Sequence, residues 1–305
     1  GEDMTEATRP FWRHERLLTL RRLTLALVAA PGGERCLHLG RRVLPKPEAP
    51  ITIADFDGDL KMTLRLTEHM QSLIFWKGGY NRDLVRLLDR ILRPGMTVID
   101  AGANVGEITL LAAKRVAPDG VVVAFEPVRE IAEALNANLA ANGFTHVVVK
   151  MMALSDAEGE LPIYRASRPI RDGTINDGMG SLFIGDRDRE KAGTIPVSTL
   201  DQQIAELGLT KVDLIKMDIE GAELPALRGA EALLRRDRPV LIIEVQEEAA
   251  RAGGYTTADL FAHLAQLGYG FETIRDDGGT RPLDPERLES FQNVLCVPIG
   301  RGGGV

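Results

Sequence analysis

The chain has 305 residues, a formal net charge of -7, 44% hydrophobic residues and two cysteines, Cys36 and Cys296. That length and apolar fraction suffice for one large α/β domain or two small ones, and the negative balance argues against a general affinity for nucleic acid. Two distant cysteines in apolar settings read as free thiols of a reducing, cytoplasmic compartment rather than as a disulfide, and without CxxC or HExxH spacing no zinc site is legible.

Gly1, Glu2 and Asp3 precede Met4, which reads as the natural start. Residues 10–30 place Trp12, Leu17, Leu20, Leu23, Leu27 and Val28 at near-helical spacing, with Arg13, Arg16, Arg21 and Arg22 between them. They read as an amphipathic helix docked on its own domain or on a second subunit of a homo-oligomer. Peripheral contact with a membrane surface through 10–30 is the sharper alternative. No apolar run reaches the ~20 residues of a transmembrane segment, and the stretch from Arg21 to Gly33 is short and late for a signal peptide. Gly32 to Pro50 is rich in glycine and proline and reads as a loop. Residues 1–50 are therefore expected to be a helical extension and linker.

Residues 51–97 lead into the core. Ile51 to Leu66 reads as two strands around Asp57-Gly58-Asp59, a hairpin signal. Asp83 to Leu92 reads as an amphipathic helix stopped by Arg93-Pro94-Gly95. From Val98 strands and helices alternate, which predicts a parallel sheet with helices on both faces. "HVVVKMMAL" is expected as its third strand and "ELPALRGAEALLRR" as one helix. The last two strands, "YGFETI" and "FQNVLCVPIG", have no crossover helix between them and are expected to be antiparallel. The fold class is thus α/β, a Rossmann-like doubly wound sheet over residues 98–300 with a terminal antiparallel strand. Residues 165–193, rich in Gly, Asp and Arg, interrupt the alternation and read as a substrate loop or lid.

The first βαβ unit, "VIDAGANVGEITLLAAKRVAPDGVVVAFEP", suggests a nucleotide-like ligand at the strand ends. Gly102 and Gly106 permit a tight turn, and Glu126 ends the next strand, where it can accept hydrogen bonds from ribose hydroxyls. Asn104 either holds a left-handed turn or touches ligand. A dinucleotide site needs G-x-G-x-x-G, and the middle glycine is missing. Asp100 before the turn suits a ligand with ammonium and sulfonium groups, as in S-adenosylmethionine, better than a pyrophosphate. A class I methyltransferase is the first reading and an NAD-type oxidoreductase the second. A non-catalytic S-adenosylmethionine-binding protein is the third.

The segments "VIDAGANVG", "FEP", "ALSD", "TLD" and "DLIKMDIEGAE", followed by "PVLIIEV" and "NVLCVP", resemble the FkbM-type methyltransferases over roughly Tyr80 to Pro298. The resemblance implies a class I methyltransferase fold and O-methylation of a hydroxyl on a small-molecule or glycan acceptor: a sugar, a glycolipid or polysaccharide unit, or a polyketide-type natural product. It implies that Asp100, Gly102, Asn104 and Gly106 surround the methionine end of the cofactor and that Glu126 binds its ribose. Ala153 and Leu154, placed at the end of the third strand, would flank adenine. Family members often carry Tyr-Glu where this chain has Tyr80-Asn81.

A hydroxyl acceptor needs a base or a metal to remove its proton. The strand "VDLIKMD" delivers Asp218 to the carboxyl edge of the sheet, and strand alternation puts Lys216 on the same face. Glu220 follows in the turn, Glu223 opens the next helix as a cap, and Glu244 ends an adjacent strand. Asp218 is expected to act as the base, or to hold a divalent cation with Glu220 and Glu244, with Lys216 in the same catalytic cluster.

Overall fold

The computed structural model describes residues 14–166, 174–175, 189–284 and 288–300. The chain divides into two compact units, residues 1–80 with 169–176, and residues 81–168 with 177–305.

The smaller unit contains α1 (His14–Ala29), α2 (Gly33–Gly40), a hairpin of β1 (Ile51–Phe56) and β2 (Leu60–Leu64), and α3 (His69–Lys77). The hairpin forms where expected, and alternate residues Ile51, Ile53, Met62 and Leu64 bury one face. Its turn sets Asp57 and Gly58 in the left-handed region, at φ 47 and 92. Helix α3 is capped by the Glu68 carboxylate, which accepts the Gln71 N–H at 2.9 Å, and is closed by left-handed Gly78. Ile175, from the insertion, bridges in parallel to Glu68.

Helix α1 forms within the expected 10–30 span but buries a different face. Leu17, Arg21, Thr24 and Val28 point inward, whereas Leu23 and Leu27 are 64% and 40% exposed. Arg21 decides this. It is 2% exposed, donates to Asp55 Oδ1 at 2.8 Å and to the Phe75 carbonyl, and lies over the Phe75 ring. A guanidinium with buried partners is costly to remove from that face. Trp12 and Arg13 lie outside the described residues. The expected loop from Gly32 is corrected too: it contains α2, which buries Leu37.

In chain order the larger unit begins with α4 (Arg82–Ile91), β3 (Thr97–Ala101), α5 (Glu107–Val116), β4 (Val121–Phe125), α6 (Arg129–Ala141) and β5 (Val147–Lys150). It continues with β6 (Ala153–Leu154), β7 (Gly159–Ala166), β8 (Arg189–Ser198), α7 (Leu200–Glu206), β9 (Leu214–Met217), α8 (Glu223–Arg228) and α9 (Glu231–Asp237). It ends with β10 (Val240–Val245), α10 (Glu247–Ala252), α11 (Thr257–Gln266), β11 (Tyr269–Ile274), β12 (Thr280–Pro282) and β13 (Gln292–Pro298). Eight strands form one sheet in the order β12-β11-β13-β10-β9-β3-β4-β5. Strands β5, β4, β3, β9 and β10 are parallel, and β13 lies antiparallel between β10 and β11, as expected. The apolar strands bury Ile99, Val123, Ile215 and Ile243 in one core. Strand order reverses between β3 and β9, which places a crevice at their carboxyl ends.

Three expectations are corrected. The expected third strand is two: β5 stays in the large sheet, while Ala153 and Leu154 form β6 of a separate sheet ordered β6-β8-β7. The expected helix after Glu223 breaks into α8 and α9 at Gly229, where a β-carbon would stand 2.1 Å from the Ser155 carbonyl oxygen. Asp201 of the "TLD" motif then caps α9, accepting the N–H groups of Ala232 and Leu233 at 2.9 and 2.8 Å. Finally, the two ends of the 165–193 span belong to strands β7 and β8, which pair antiparallel. The rest of the expected lid, except residues 174–175, lies outside the described residues. Among the described residues no helix is long and apolar enough to cross a membrane. Cys36 and Cys296 are free thiols.

Arg21→Leu is expected to destabilise the smaller unit by ~2–4 kcal/mol, because the buried carbonyl of Phe75 loses its donor; the half-exposed Asp55 partner adds little. Arg22→Leu, on the exposed face, should stay within ~0.5 kcal/mol. Urea unfolding of the two full-length variants checks this, and equal losses would show that Arg21 does not set the helix face.

Candidate active site

Strand β3 stops at Ala101 and the chain turns through Gly102–Gly106 into α5. Gly102, Asn104 and Gly106 have φ of 79, 50 and 103. The N–H groups of Gly102 and Ala103 both donate to the Phe125 carbonyl at 3.0 Å. Asn104 therefore does hold a left-handed turn, and its Oδ1 accepts the Val105 N–H at 2.7 Å. On the outer side Asn138 of α6 donates to the Val105 carbonyl at 2.9 Å.

Glu126 follows β4 and is buried beside this turn. Its Oε2 accepts the Asn104 N–H at 3.0 Å and its Oε1 the Val128 N–H at 2.9 Å. Burial pushes its pKa up to about 7, against the pull of those two N–H groups and of Lys216.

Asp100 is 0% exposed. Its Oδ2 accepts the Thr109 hydroxyl at 2.6 Å, and its Oδ1 lies 3.3 Å from Lys216 Nζ. Its charge is thus met from inside the protein, by the residue facing it in register on β9. Lys216 is 4% exposed; its Nζ donates to the Gly102 carbonyl at 2.9 Å and lies 3.8 Å from Asp218 Oδ2. Burial alone would lower its pKa, but Asp100, Asp218 and Glu244 together hold it above the ordinary lysine value.

Asp218, just past β9, is 25% exposed at its side chain and meets the turn directly. Its N–H donates to the Ala101 carbonyl at 3.1 Å, and a β-carbon on Gly102 would stand 1.8 Å from its carbonyl oxygen. The next turn holds Glu220 at φ 56 and Gly221 at φ 98. Glu223 folds back to clamp it, accepting the Ile219 N–H, the Gly221 N–H and the Tyr255 hydroxyl at 3.0, 3.0 and 2.8 Å. Glu223 is thus structural, but it clamps the turn before α8 rather than capping the helix as expected: the cap position is Ala222, without a side-chain bond.

Glu244 ends β10 beside this turn. One carboxylate oxygen each of Asp218, Glu220 and Glu244 lie within 4.8 Å of one another, and this is the one such group among the described residues. Burial, then the charge and hydrogen bond of Asp218, push the Glu244 carboxyl well above the usual carboxylate range. The donor set is all oxygen, which suits a hard cation. It equally suits a proton shared between carboxyls.

The structure therefore gathers Asp100, Gly102, Asn104, Gly106, Glu126, Lys216, Asp218, Glu220 and Glu244 at adjacent strand ends. Leu154 is packed in the core, and Ala153 is half-buried. Asn81 donates through its side chain to the buried Glu107 at 3.2 Å. Thr109, Asn138 and Tyr255 were not legible as site residues. Asn138 left one signal, an amide within the apolar stripe of α6 beside Leu135 and Leu139.

A sequence profile described as "Methyltransferase FkbM domain" matches residues 100–271, more than half of the chain. The chain is 33% identical over 272 residues to the AMB antimetabolite synthetase AmbE of Pseudomonas aeruginosa, covering 79% of this chain and 12% of that protein. It is 30% identical over 156 residues to Methyltransferase sdnD of Sordaria araneosa, covering 44% of this chain and 60% of that one. The chain thus spans less than two thirds of either relative. A crystal structure of Methyltransferase FkbM from Methylobacillus flagellatus is 17% identical, with a TM-score of 0.45 over 71% of this chain and 47% of that one.

Gly102→Ala should cost ~3 kcal/mol or more, since its β-carbon collides with backbone in a left-handed conformation. Gly143→Ala, also left-handed but with nothing within 4 Å of the new β-carbon, should cost only ~1 kcal/mol. Denaturant unfolding of both variants checks the contrast; similar losses would remove the collision at Asp218 as the cause.

Proposed function

The chain belongs to the FkbM methyltransferase family, and from that premise we propose that it is an S-adenosylmethionine-dependent O-methyltransferase whose acceptor is a hydroxyl of a natural-product scaffold. One observation carries the cofactor reading: the Glu126 carboxylate is bonded to the Gly102–Gly106 turn at the ends of adjacent parallel strands. The residues present fit that cofactor. Each Glu126 oxygen accepts one N–H and keeps a second acceptor position for a ribose hydroxyl. Gly102, Asn104 and Gly106 offer backbone to the methionine end, while Asp100 acts from behind the turn through Lys216. Ala153, and the backbone of Leu154, remain the candidates beside adenine. The free thiols fit a reducing, cytoplasmic setting.

S-adenosylmethionine supplies an electrophilic methyl group on a sulfonium sulfur. What this chain adds is removal of the acceptor proton. Asp218 is the most exposed carboxylate of the acidic group and stands against the cofactor turn, so its Oδ takes that proton. Glu244, whose carboxyl burial and the neighbouring Asp218 push toward its protonated form, adds less competing negative charge beside Asp218. The convergence of Asp218, Glu220 and Glu244 supports a second reading, in which a divalent cation held there acidifies the hydroxyl. The relative named an antimetabolite synthetase supports a natural-product acceptor over a sugar or glycolipid.

Methyl-labelled S-adenosylmethionine, offered with panels of hydroxylated natural products and of sugars, tests the reading. Label is expected in the first panel; label confined to sugars would move the acceptor class, and absence of cofactor binding would overturn the proposal. With an acceptor in hand, Asp218→Asn should cut turnover ~100-fold while leaving cofactor affinity within ~3-fold. EDTA inhibition reversed by magnesium would favour the cation, and indifference the direct base.

Glu126 gives a pH signature. Its carboxyl is protonated below its pKa of about 7 and ionised above it, and ribose hydroxyls are best held by the ionised form. S-adenosylhomocysteine should therefore bind about tenfold more weakly at pH 6 than at pH 8. Calorimetry should also register proton release at pH 7. Glu126→Gln should flatten this dependence; an unchanged slope would assign it to another group.

A further inference from the structure

Among the described residues, Lys216 is the cation bonded into the turn. Its Nζ donates to the Gly102 carbonyl at 2.9 Å and lies 3.3 Å from Asp100 Oδ1 and 3.8 Å from Asp218 Oδ2. It is buried on the central strand β9, directly across from Asp100 on β3. A lysine so enclosed, bonded to the Gly102 carbonyl and flanked by Asp100, is held to the turn. We propose that Lys216 is a positioning residue, not a proton carrier: it fixes the Gly102 carbonyl and balances Asp100, and so holds the part of the turn that receives the amino-acid end of the cofactor. This rests on the S-adenosylmethionine reading given above.

The geometry separates the two ends of the ligand site. Gly102 has its carbonyl tied to Lys216. Glu126 is tied elsewhere, to the N–H groups of Asn104 and Val128. Removing the lysine frees the Gly102 carbonyl and leaves Asp100 with Thr109 as its remaining bonded partner, while the bonds of Glu126 persist. Loss should therefore fall on the amino-acid portion of a ligand and spare its adenosine portion.

Two defined ligands read this directly. S-adenosylhomocysteine has both portions, whereas 5′-methylthioadenosine lacks the amino-acid portion. By calorimetry on the full chain, Lys216→Met should weaken S-adenosylhomocysteine by about 30-fold and methylthioadenosine by less than ~3-fold, the scale of a lost charge-assisted hydrogen bond. Equal weakening of both ligands would mean a merely structural lysine, and no weakening would mean no role; either overturns the assignment. Should Lys216→Met fail to fold, the double variant Asp100→Asn/Lys216→Met removes the lysine together with its nearest carboxylate, so that Asp100 is not left as an uncompensated buried charge. It should likewise lose the preference of the wild type for S-adenosylhomocysteine, and a retained preference would overturn the assignment. Wild-type protein that binds neither ligand would overturn the cofactor reading, and this inference with it.

Discussion

The carbonyl oxygen of Asp218 occupies the space a side chain on Gly102 would need, 1.8 Å from the position of a β-carbon. That backbone contact brings the turn after β3 against the turn after β9, and the rest of the site follows from it. The Asp218 N–H continues the parallel ladder to the Ala101 carbonyl, so the acidic residues begin where the glycine turn begins. A second close approach supports the first: a β-carbon on Gly253 would stand 2.2 Å from the Gly221 carbonyl oxygen. Glu223 and Tyr255 then fasten the acidic turn from the side. Two glycines thus fix what no side-chain contact could, the separation between the turn after β3 and the carboxylates beside it.

Burying carboxylates at this density has an electrostatic consequence. Asp100, Glu126, Glu220, Glu223 and Glu244 are all buried, and Lys216 is the ammonium among them. Each ionised carboxylate removed from water costs several kcal/mol unless a partner offsets it. Asp100 has the nearest claim on the lysine. Glu126 and Glu244, farther from it, are displaced toward their protonated forms. Burial sets the acids apart: Asp100 lies against the ammonium, the Glu126 carboxyl is raised to about 7, and the Glu244 carboxyl is raised well above the usual carboxylate range. Environment, more than residue type, assigns their roles.

Much of this was legible in sequence, because the parallel sheet writes itself as short apolar runs between amphipathic helices. Apart from the third, which divides between two sheets, the strands of the ladder from "TVIDA" to "NVLCVP" formed, with the antiparallel insertion in its place. What failed depended on partners distant in sequence. Arg21 looked like the polar side of α1 until Asp55 and Phe75, more than thirty residues on, supplied its partners. Gly229 looked like a tolerated helix interior until Ser155 approached it. The run through Ala153 read as one strand because periodicity cannot register a change of sheet. In the site, the acids and glycines announced themselves, whereas Thr109, Asn138 and Tyr255 act through side-chain bonds to residues outside their own elements and carry no spacing signal.

Charge repulsion by Asp100 was one sequence ground for disfavouring a dinucleotide, and the structure relocates that ground. Asp100 is enclosed and paired with Lys216, so its field at the turn is largely offset. The discrimination lies at the start of α5 instead. A pyrophosphate needs free N–H groups at a helix N-terminus and a backbone bare enough to approach. Here the Val105 N–H is taken by the Asn104 side chain and the Asn104 N–H by Glu126. Glu107 adds a buried carboxylate in the first turn of the helix. The missing middle glycine of the dinucleotide pattern is therefore not a neutral gap. The asparagine in its place consumes a donor, and the acid three residues on opposes an anion where the helix would otherwise attract one.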